Sequence, residues 1–360
     1  MTPPFLMRAA VASRFSDPAL DALMLPFTQG LLAWPSGPVL FLRARDGAAL
    51  RQVSLARLVC EQSFRPDAEL LERAGLRVVA NAAADDARYP LVLVLPPRQR
   101  EEARALLARA VQLAAPGGVV VAAMTNNEGA KSGEADLKQL TGIGGTLTKF
   151  HCRTFWTRPL GEGTDGSLLR QWSSLDAPRR LEGGRFLSRP GVFAWNRIDP
   201  ASALLVECLP ADIIGHGADL GAGWGFLSLA LLERNPGITA LDLYEAEARA
   251  LALAKENLGN TATTARLDFR WHDVTGGLPE RYDFIVSNPP FHTQSRADRP
   301  DIGQRFIAAA AEALKPGGRL WLVANRHLPY EQTLNERFGD VRVAGERDGF
   351  KVIAAVKARR

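Results

Sequence analysis

Asn288, Pro289, Pro290 and Phe291 follow four residues, 284–287, that read as a buried strand. An amide, two prolines and an aromatic ring at a strand end suit one chemistry in particular. The exocyclic amine of a base, or of an amide, is a poor nucleophile because its lone pair is delocalised into the ring or carbonyl. The Asn288 side-chain oxygen and the Pro289 carbonyl can accept its two N–H bonds and steer the lone pair toward an electrophile. The prolines hold that carbonyl in place, and Phe291 can stack on the flat acceptor. His292 reads as a solvated or packing residue rather than a base. Asn-Pro is also ordinary turn chemistry, so the surroundings must decide.

They do so at "DLGAGWG", residues 219–225, where an acidic residue at a strand end is followed by Gly221, Gly223 and Gly225 at every second position and then by a helix. Such glycines let the backbone turn sharply and let a ligand approach it closely. The carboxyl end of a central strand is where an open α/β sheet binds its ligand. A dinucleotide fingerprint would need glycine at position 226, which is Phe226, so that spacing fails. D-x-G-x-G-x-G instead resembles the cofactor loop of class I S-adenosylmethionine-dependent methyltransferases. Within that resemblance Glu245, with Asp242 as the alternate, would take the ribose hydroxyls. Asp273 would accept from the adenine amine, or else cap the following turn.

The elements needed to position these residues are legible. After residue 187, strand-like apolar runs alternate with helix-like periodic stretches, the signature of a parallel sheet covered on both faces. The final "VRVAGERDGFKVIAAVK" reads as a hairpin turning at "RDG". An internal repeat is present, since residues 89–127 and 282–326 share strand, Pro-Pro, helix, Pro-Gly-Gly, strand and Asn in the same order. Aligning the Pro-Pro pairs puts Leu95 opposite Asn288 and Arg98 opposite Phe291, and the first copy has no glycine cluster. The expectation is two tandem class I methyltransferase-like, Rossmann-like α/β domains. Each has a mostly parallel sheet ending in an antiparallel hairpin, and the N-terminal copy is degenerate. We expect boundaries at 1–160, a Gly-rich linker at 161–186, and a catalytic domain at 187–360.

With 360 residues, two domains are the default, and 46% apolar with 23% charged residues is a soluble globular composition. No apolar run is long enough to span a bilayer and no signal peptide is legible, so a cytoplasmic protein without membrane partners is expected. Cys60, Cys152 and Cys208 lack the spacing of a metal or redox site, so no metal is expected. The net charge of +5 lies wholly in the first half, where 22 Lys and Arg face 17 Asp and Glu. Aromatic residues interleave the basic stretch from Lys149 to Arg197, a mixture suited to phosphate contacts and base stacking.

"PGVF" (190–193), "DLGAGWG", "SNPPFH", "VANRHLPY" (323–330) and "GFKV" (349–352), taken with "NEGAKSG" (127–133), resemble the ribosomal RNA guanine-N2 methyltransferases of the RsmC and RlmG type. That resemblance implies S-adenosyl-L-methionine as cofactor, with contacts from Asp219, Gly221, Gly223, Gly225, Glu245 and Asp273. It implies Asn288, Pro289, Pro290 and Phe291 as the catalytic loop, and one guanine of small-subunit ribosomal RNA as acceptor, met by a monomer. The first domain would then serve RNA recognition and scaffold. The family's Asp-Val-Gly-Ser pattern is altered here by Pro200 and Ala201, which leaves a contact from Asp199 to the methionine end of the cofactor open. Large-subunit guanine, adenine N6, a protein glutamine amide, and a non-catalytic assembly factor are the competing readings.

Overall fold

The computed structural model describes residues 17–82, 87–181, 183–290 and 300–359. Phe291, His292 and residues 293–299 lie outside the described residues. The chain divides into two compact units between Ala177 and Pro178.

The first unit carries β1 (Val39–Leu42), β2 (Leu58–Glu61), β3 (Arg77–Val79), β4 (Tyr89–Val94), β5 (Ala114–Thr125), β6 (Gly145–Lys149) and β7 (Cys152–Trp156), in the order β3-β2-β1-β4-β5-β7-β6. The second begins with a two-stranded ribbon, β8 (Arg179–Arg180) and β9 (Leu187–Ser188). Its main sheet comprises β10 (Gly215–Leu220), β11 (Ile238–Glu245), β12 (Arg266–Trp271), β13 (Tyr282–Ser287), β14 (Leu314–Asn325), β15 (Asp340–Arg347) and β16 (Phe350–Val356). Their order is β12-β11-β10-β13-β14-β16-β15, the same winding as in the first unit. In each sheet only the closing hairpin strand pairs antiparallel to its neighbours. The repeat seen in the sequence is therefore a repeat of topology.

Burial explains why these runs become strands. Successive residues feed opposite faces: Phe284 and Val286 pack with Leu241 and Leu243 on one side, whereas Ile285 packs with Ala218 and Leu220 on the other. Both faces are covered by helices, so the central strands β10, β11 and β13 are buried along most of their length instead of alternating.

The closing hairpins turn differently. Asp348 and Gly349 join β15 to β16 with φ of 52° and 82°, whereas Phe150 and His151 join β6 to β7 with φ of 56° at both. Left-handed backbone costs a residue other than glycine roughly 1 kcal/mol or more.

The stretch expected as a linker, 161–186, is structured on both sides of the division. Helix Gly166–Ser173 is capped by Asp165 and buries Trp172, over whose ring the Arg104 guanidinium lies at 4.8 Å. β8 then pairs with β9 in the second unit. A single buried tryptophan outweighs the local glycine content, which is all that the composition registers. No helix among the described residues is long and apolar enough to cross a membrane.

Candidate active site

β10 and β13 are adjacent at the middle of the second sheet, and their carboxyl ends form the floor of a cavity. The Ser287 hydroxyl donates to the Leu220 carbonyl at 2.7 Å and ties the two strand ends together. Beyond Leu220 the backbone N–H groups of Gly221 and Ala222 both donate to the Tyr244 carbonyl, at 2.8 and 3.0 Å. This clamp folds the loop back over β11. Gly221, Gly223 and Gly225 all have positive φ, of 75°, 57° and 91°.

The three glycines differ in what a side chain would meet. At Gly225, which starts helix Phe226–Arg234, an added Cβ would lie 2.5 Å from Leu258 Cδ1 and 3.3 Å from Ala254, so this glycine permits helix packing. At Gly221 it would meet only Phe306 and the Asn288 carbonyl, at 3.6 and 3.8 Å. At Gly223 nothing lies within 4 Å. Gly221 and Gly223 line the cavity with Trp224, Asn288, Asp199 and Phe193. Trp224 is turned inward, and its indole N–H donates to the Phe193 carbonyl at 3.1 Å.

The acidic residues separate into distinct roles. Glu245, at the end of β11, accepts from the Gly223 N–H through Oε2 and from the Glu247 N–H through Oε1, both at 2.8 Å. Burial pushes its carboxyl above the ordinary range. Each oxygen keeps a further lone pair for a hydroxyl donor. Asp242 is not available as the alternate. It is fully buried and bound to Tyr282 Oη (2.8 Å), His216 Nε2 (3.1 Å) and Arg270 (3.1 Å). The alternation of side chains along β11 puts it on the same face as Tyr244, beside Tyr282 and away from Glu245, a placement that a strand read from sequence alone leaves open. Asp273 caps the turn after β12, its Oδ1 accepting from the Thr275 N–H and hydroxyl at 2.9 and 2.7 Å.

Asp219 is fully buried behind the loop. Its Oδ2 accepts from the Ser228 hydroxyl at 2.6 Å, and its Oδ1 has no hydrogen-bond partner. Burial, reinforced by nearby Glu245, pushes its carboxyl from 3.8 up to about 7 against the Ser228 hydrogen bond. Between about pH 4 and 7 the folded chain thus keeps a proton that the unfolded chain has lost. Stability conferred by that proton falls as pH rises through the window and levels off above about 7. Asp219→Asn lacks the titration. Its melting temperature relative to wild type is expected to climb by several degrees from pH 4 to 7 and then stay constant, at about 2–4 °C per kcal/mol. A difference independent of pH, measured by calorimetry, would refute the shift.

Asn288 follows β13 directly. Its Nδ2 donates to Asp199 Oδ2 at 2.9 Å and lies 2.8 Å from Ser202 Oγ. A carboxylate only accepts, so the amide nitrogen must face Asp199, and the amide oxygen faces away from it. Asp199 is itself the N-cap of helix Pro200–Cys208, with Oδ2 also accepting from the Ser202 N–H at 2.8 Å. Pro289 is buried and Pro290 exposed. Phe291 is outside the described residues.

Ser202 and Phe193 are thus part of the site without having been identified as such from the sequence, and Asp199, for which the sequence left a contact to the methionine end open, holds Asn288. The available signal was "DPAS", an N-cap with Pro at the first helical position, 89 residues before Asn288. Such a cap looks the same whether or not a second residue hangs on it. Among the described residues no cluster of His, Cys, Asp or Glu is arranged to hold a metal.

In the first unit the same position is closed. Leu42 ends β1 as Leu220 ends β10, so Arg43 takes the place of Gly221 and keeps its left-handed backbone, φ 51°. Arg43 Nη1 donates at 3.2 Å to the carbonyl of Leu95, the counterpart of Asn288. Gln62 stands for Glu245: its Oε1 accepts from the Phe64 N–H at 2.9 Å, but its Nε2 donates to the Ala44 carbonyl at 2.7 Å. A side chain occupies the loop, an amide replaces the acid, and leucine replaces the asparagine.

An asparagine held at a strand end beside a glycine loop has counterparts among known proteins. The methyltransferase small domain model matches residues 183–354. Ribosomal RNA small subunit methyltransferase C of Alcanivorax borkumensis is 38% identical over 173 residues, 47% of this chain and 51% of that protein, so this match spans about half of the relative's length. The protein of the same name from Shewanella pealeana is 33% identical over 279 residues, 76% of this chain and 79% of that one. Among solved structures, the T. thermophilus 16S rRNA N2 guanine methyltransferase RsmC, in complex with AdoMet and guanosine, matches with a TM-score of 0.77 at 25% identity, covering 96% of this chain and 94% of that one. Likeness that runs through both units, the closed one included, makes this chain a member of the ribosomal RNA small subunit methyltransferase C family.

Proposed function

We propose that the second unit transfers a methyl group from S-adenosylmethionine to the exocyclic N2 amine of a guanine in 16S ribosomal RNA of the small subunit. One observation carries this reading: the Asn288 amide nitrogen is committed to Asp199 and Ser202, so its oxygen is left to accept from a substrate N–H. The similarity to small-subunit relatives and to a structure holding AdoMet and guanosine supports guanine as the owner of that amine.

The chain's residues fit such a cofactor. Gly223 leaves open space where any other residue would put a Cβ, Asp219 Oδ1 is an unspent buried acceptor, and Glu245 offers a carboxylate above the loop. The sulfonium compound supplies an electrophilic methyl group. Gly221 and Gly223 admit it to the backbone, Gly225 keeps the loop packed on its helix, and Glu245 takes ribose hydroxyls. Asp273 has one oxygen spent on its cap and the other left for the adenine amine, while Asp219, buried behind the loop, is the acceptor assigned to the cationic methionine end. The Asn288 oxygen and the Pro289 carbonyl hold the guanine amine, Pro290 stiffens the turn, and Phe291 stacks on the base. No strong base is required, because the methylated amine is acidic enough to give its proton to water. The N2 amine lies in the shallow groove of A-form RNA, so the nucleotide must be unpaired or flipped out to reach this pocket. With the small subunit as its substrate, the protein is read as working in the cytoplasm, as a monomer.

The test is transfer of labelled methyl from S-adenosylmethionine to small subunits lacking the modification, followed by nucleoside analysis. N2-methylguanosine is expected as the labelled product. Label in N6-methyladenosine or in protein, or none in RNA despite cofactor binding, would overturn the assignment.

A further inference from the structure

The two sheet-closing hairpins make the same tight turn from opposite chemistry. In the second unit Arg347 and Phe350 pair across Asp348–Gly349; in the first, Lys149 and Cys152 pair across Phe150–His151. A two-residue hairpin turn with positive φ at both central positions is met at least cost by Asp-Gly or Asn-Gly. Phe150 and His151 adopt it without a short polar side chain or a missing Cβ to ease the backbone.

The fold itself does not ask for them. The second turn residue offers a carbonyl to the loop after the neighbouring strand in both units: His151 O accepts from Asn126 N at 2.8 Å, and Gly349 O accepts from Arg326 N at 2.7 Å. Asp-Gly therefore does the structural task. Nor is Phe150 drawn into a core, since 45% of it is exposed, and His151 is exposed beside it. Strain kept where a relaxed alternative exists in the same chain is the mark of a functional position.

The chemistry at the tip indicates the partner. The ammonium of Lys149 lies over the Phe150 ring, 5.5 Å from its centre. The stretch from Gly145 to Arg153 has two basic residues, one histidine and no acid, and its Thr146, Thr148 and Lys149 are exposed. An exposed ring with a cation against it suits a nucleobase and its phosphate, since stacking tolerates any base and the cation meets the backbone. We propose that the Lys149–His151 tip is an RNA contact, on which an unpaired nucleotide of the small-subunit RNA stacks through Phe150 while Lys149 meets its phosphate. This rests on ribosomal RNA being the substrate.

The test rebuilds the relaxed turn. Phe150→Asn combined with His151→Gly is expected to raise the melting temperature by about 2–4 °C and to weaken equilibrium binding to small subunits about 5-fold or more. Affinity for S-adenosylmethionine should stay unchanged. Phe150→Leu, which keeps an apolar side chain but removes the ring, should weaken subunit binding without the stabilisation. A photo-crosslinker at position 150 should capture RNA. Unchanged subunit affinity in the double variant, or crosslinks to ribosomal protein alone, would overturn the proposal. Because binding is read separately from methylation, a wild type that binds subunits but labels no guanine would sink the proposed function and leave this one standing.

Discussion

Asn288→Ala is expected to lower kcat for guanine methylation about 10²–10³-fold, while affinity for S-adenosylmethionine changes by less than about 3-fold. The asymmetry follows from where the residue's bonds go. Asn288 spends its nitrogen on Asp199 and Ser202, side chains of the same chain, and holds its oxygen in readiness. An acceptor fixed in advance costs no reorganisation when charge develops on the amine, which is why losing one such group costs about 3–4 kcal/mol of barrier. Asp199→Ala tests the same logic from behind. Without the carboxylate the amide keeps only Ser202 Oγ, which can donate as well as accept, so the amide is free to flip and present its nitrogen to the substrate. A loss of about 10-fold in kcat is expected, with about 1 kcal/mol of stability lost at the helix cap. Single-turnover rates with calorimetric cofactor affinities decide it. Asn288→Ala with normal kcat, or with lost cofactor affinity, would show that the residue does not present the amine.

What could be read in advance was whatever lies close together along the chain. The glycine loop, the Asn-Pro-Pro stretch and the repeat are local patterns, and each corresponds to one strand end or one β-α unit. Glu245 and Asp242 are three residues apart on one strand. Parity along the strand sends them to opposite faces, and that Asp242 is taken up on its face by Tyr282, His216 and Arg270, which lie on three other strands, is not legible in β11 alone. Asp199 is harder still, because a helix cap is a complete local explanation and its second bond, to Asn288, spans 89 residues. The segment 161–186 misled in the opposite direction: glycine and proline content suggests irregularity, yet Trp172 and the β8–β9 ribbon give each part a place to pack.

The largest effect on cofactor binding is expected from Gly221→Arg, which copies the residue of the first unit into the second. Arg43 shows that this loop accepts an arginine in left-handed conformation, with its guanidinium reaching the carbonyl of the residue equivalent to Asn288. At Gly221 an added Cβ meets only ordinary contacts, at 3.6 and 3.8 Å. The variant should therefore fold, at a cost on the order of 1–2 kcal/mol from the backbone, and melt a few degrees lower. Its side chain would nevertheless lie across the cavity that Gly221 lines and bring a positive charge toward a cationic cofactor. Affinity for S-adenosylmethionine should fall at least about 100-fold, because like charge and lost volume act together. Small-subunit binding, which we assign to the hairpin tip of the first unit, should persist. Calorimetric titration with the cofactor and sedimentation with subunits separate the two. Retained cofactor affinity would mean that the glycine loop is not the binding floor, and that the first unit's closed position explains nothing about its silence.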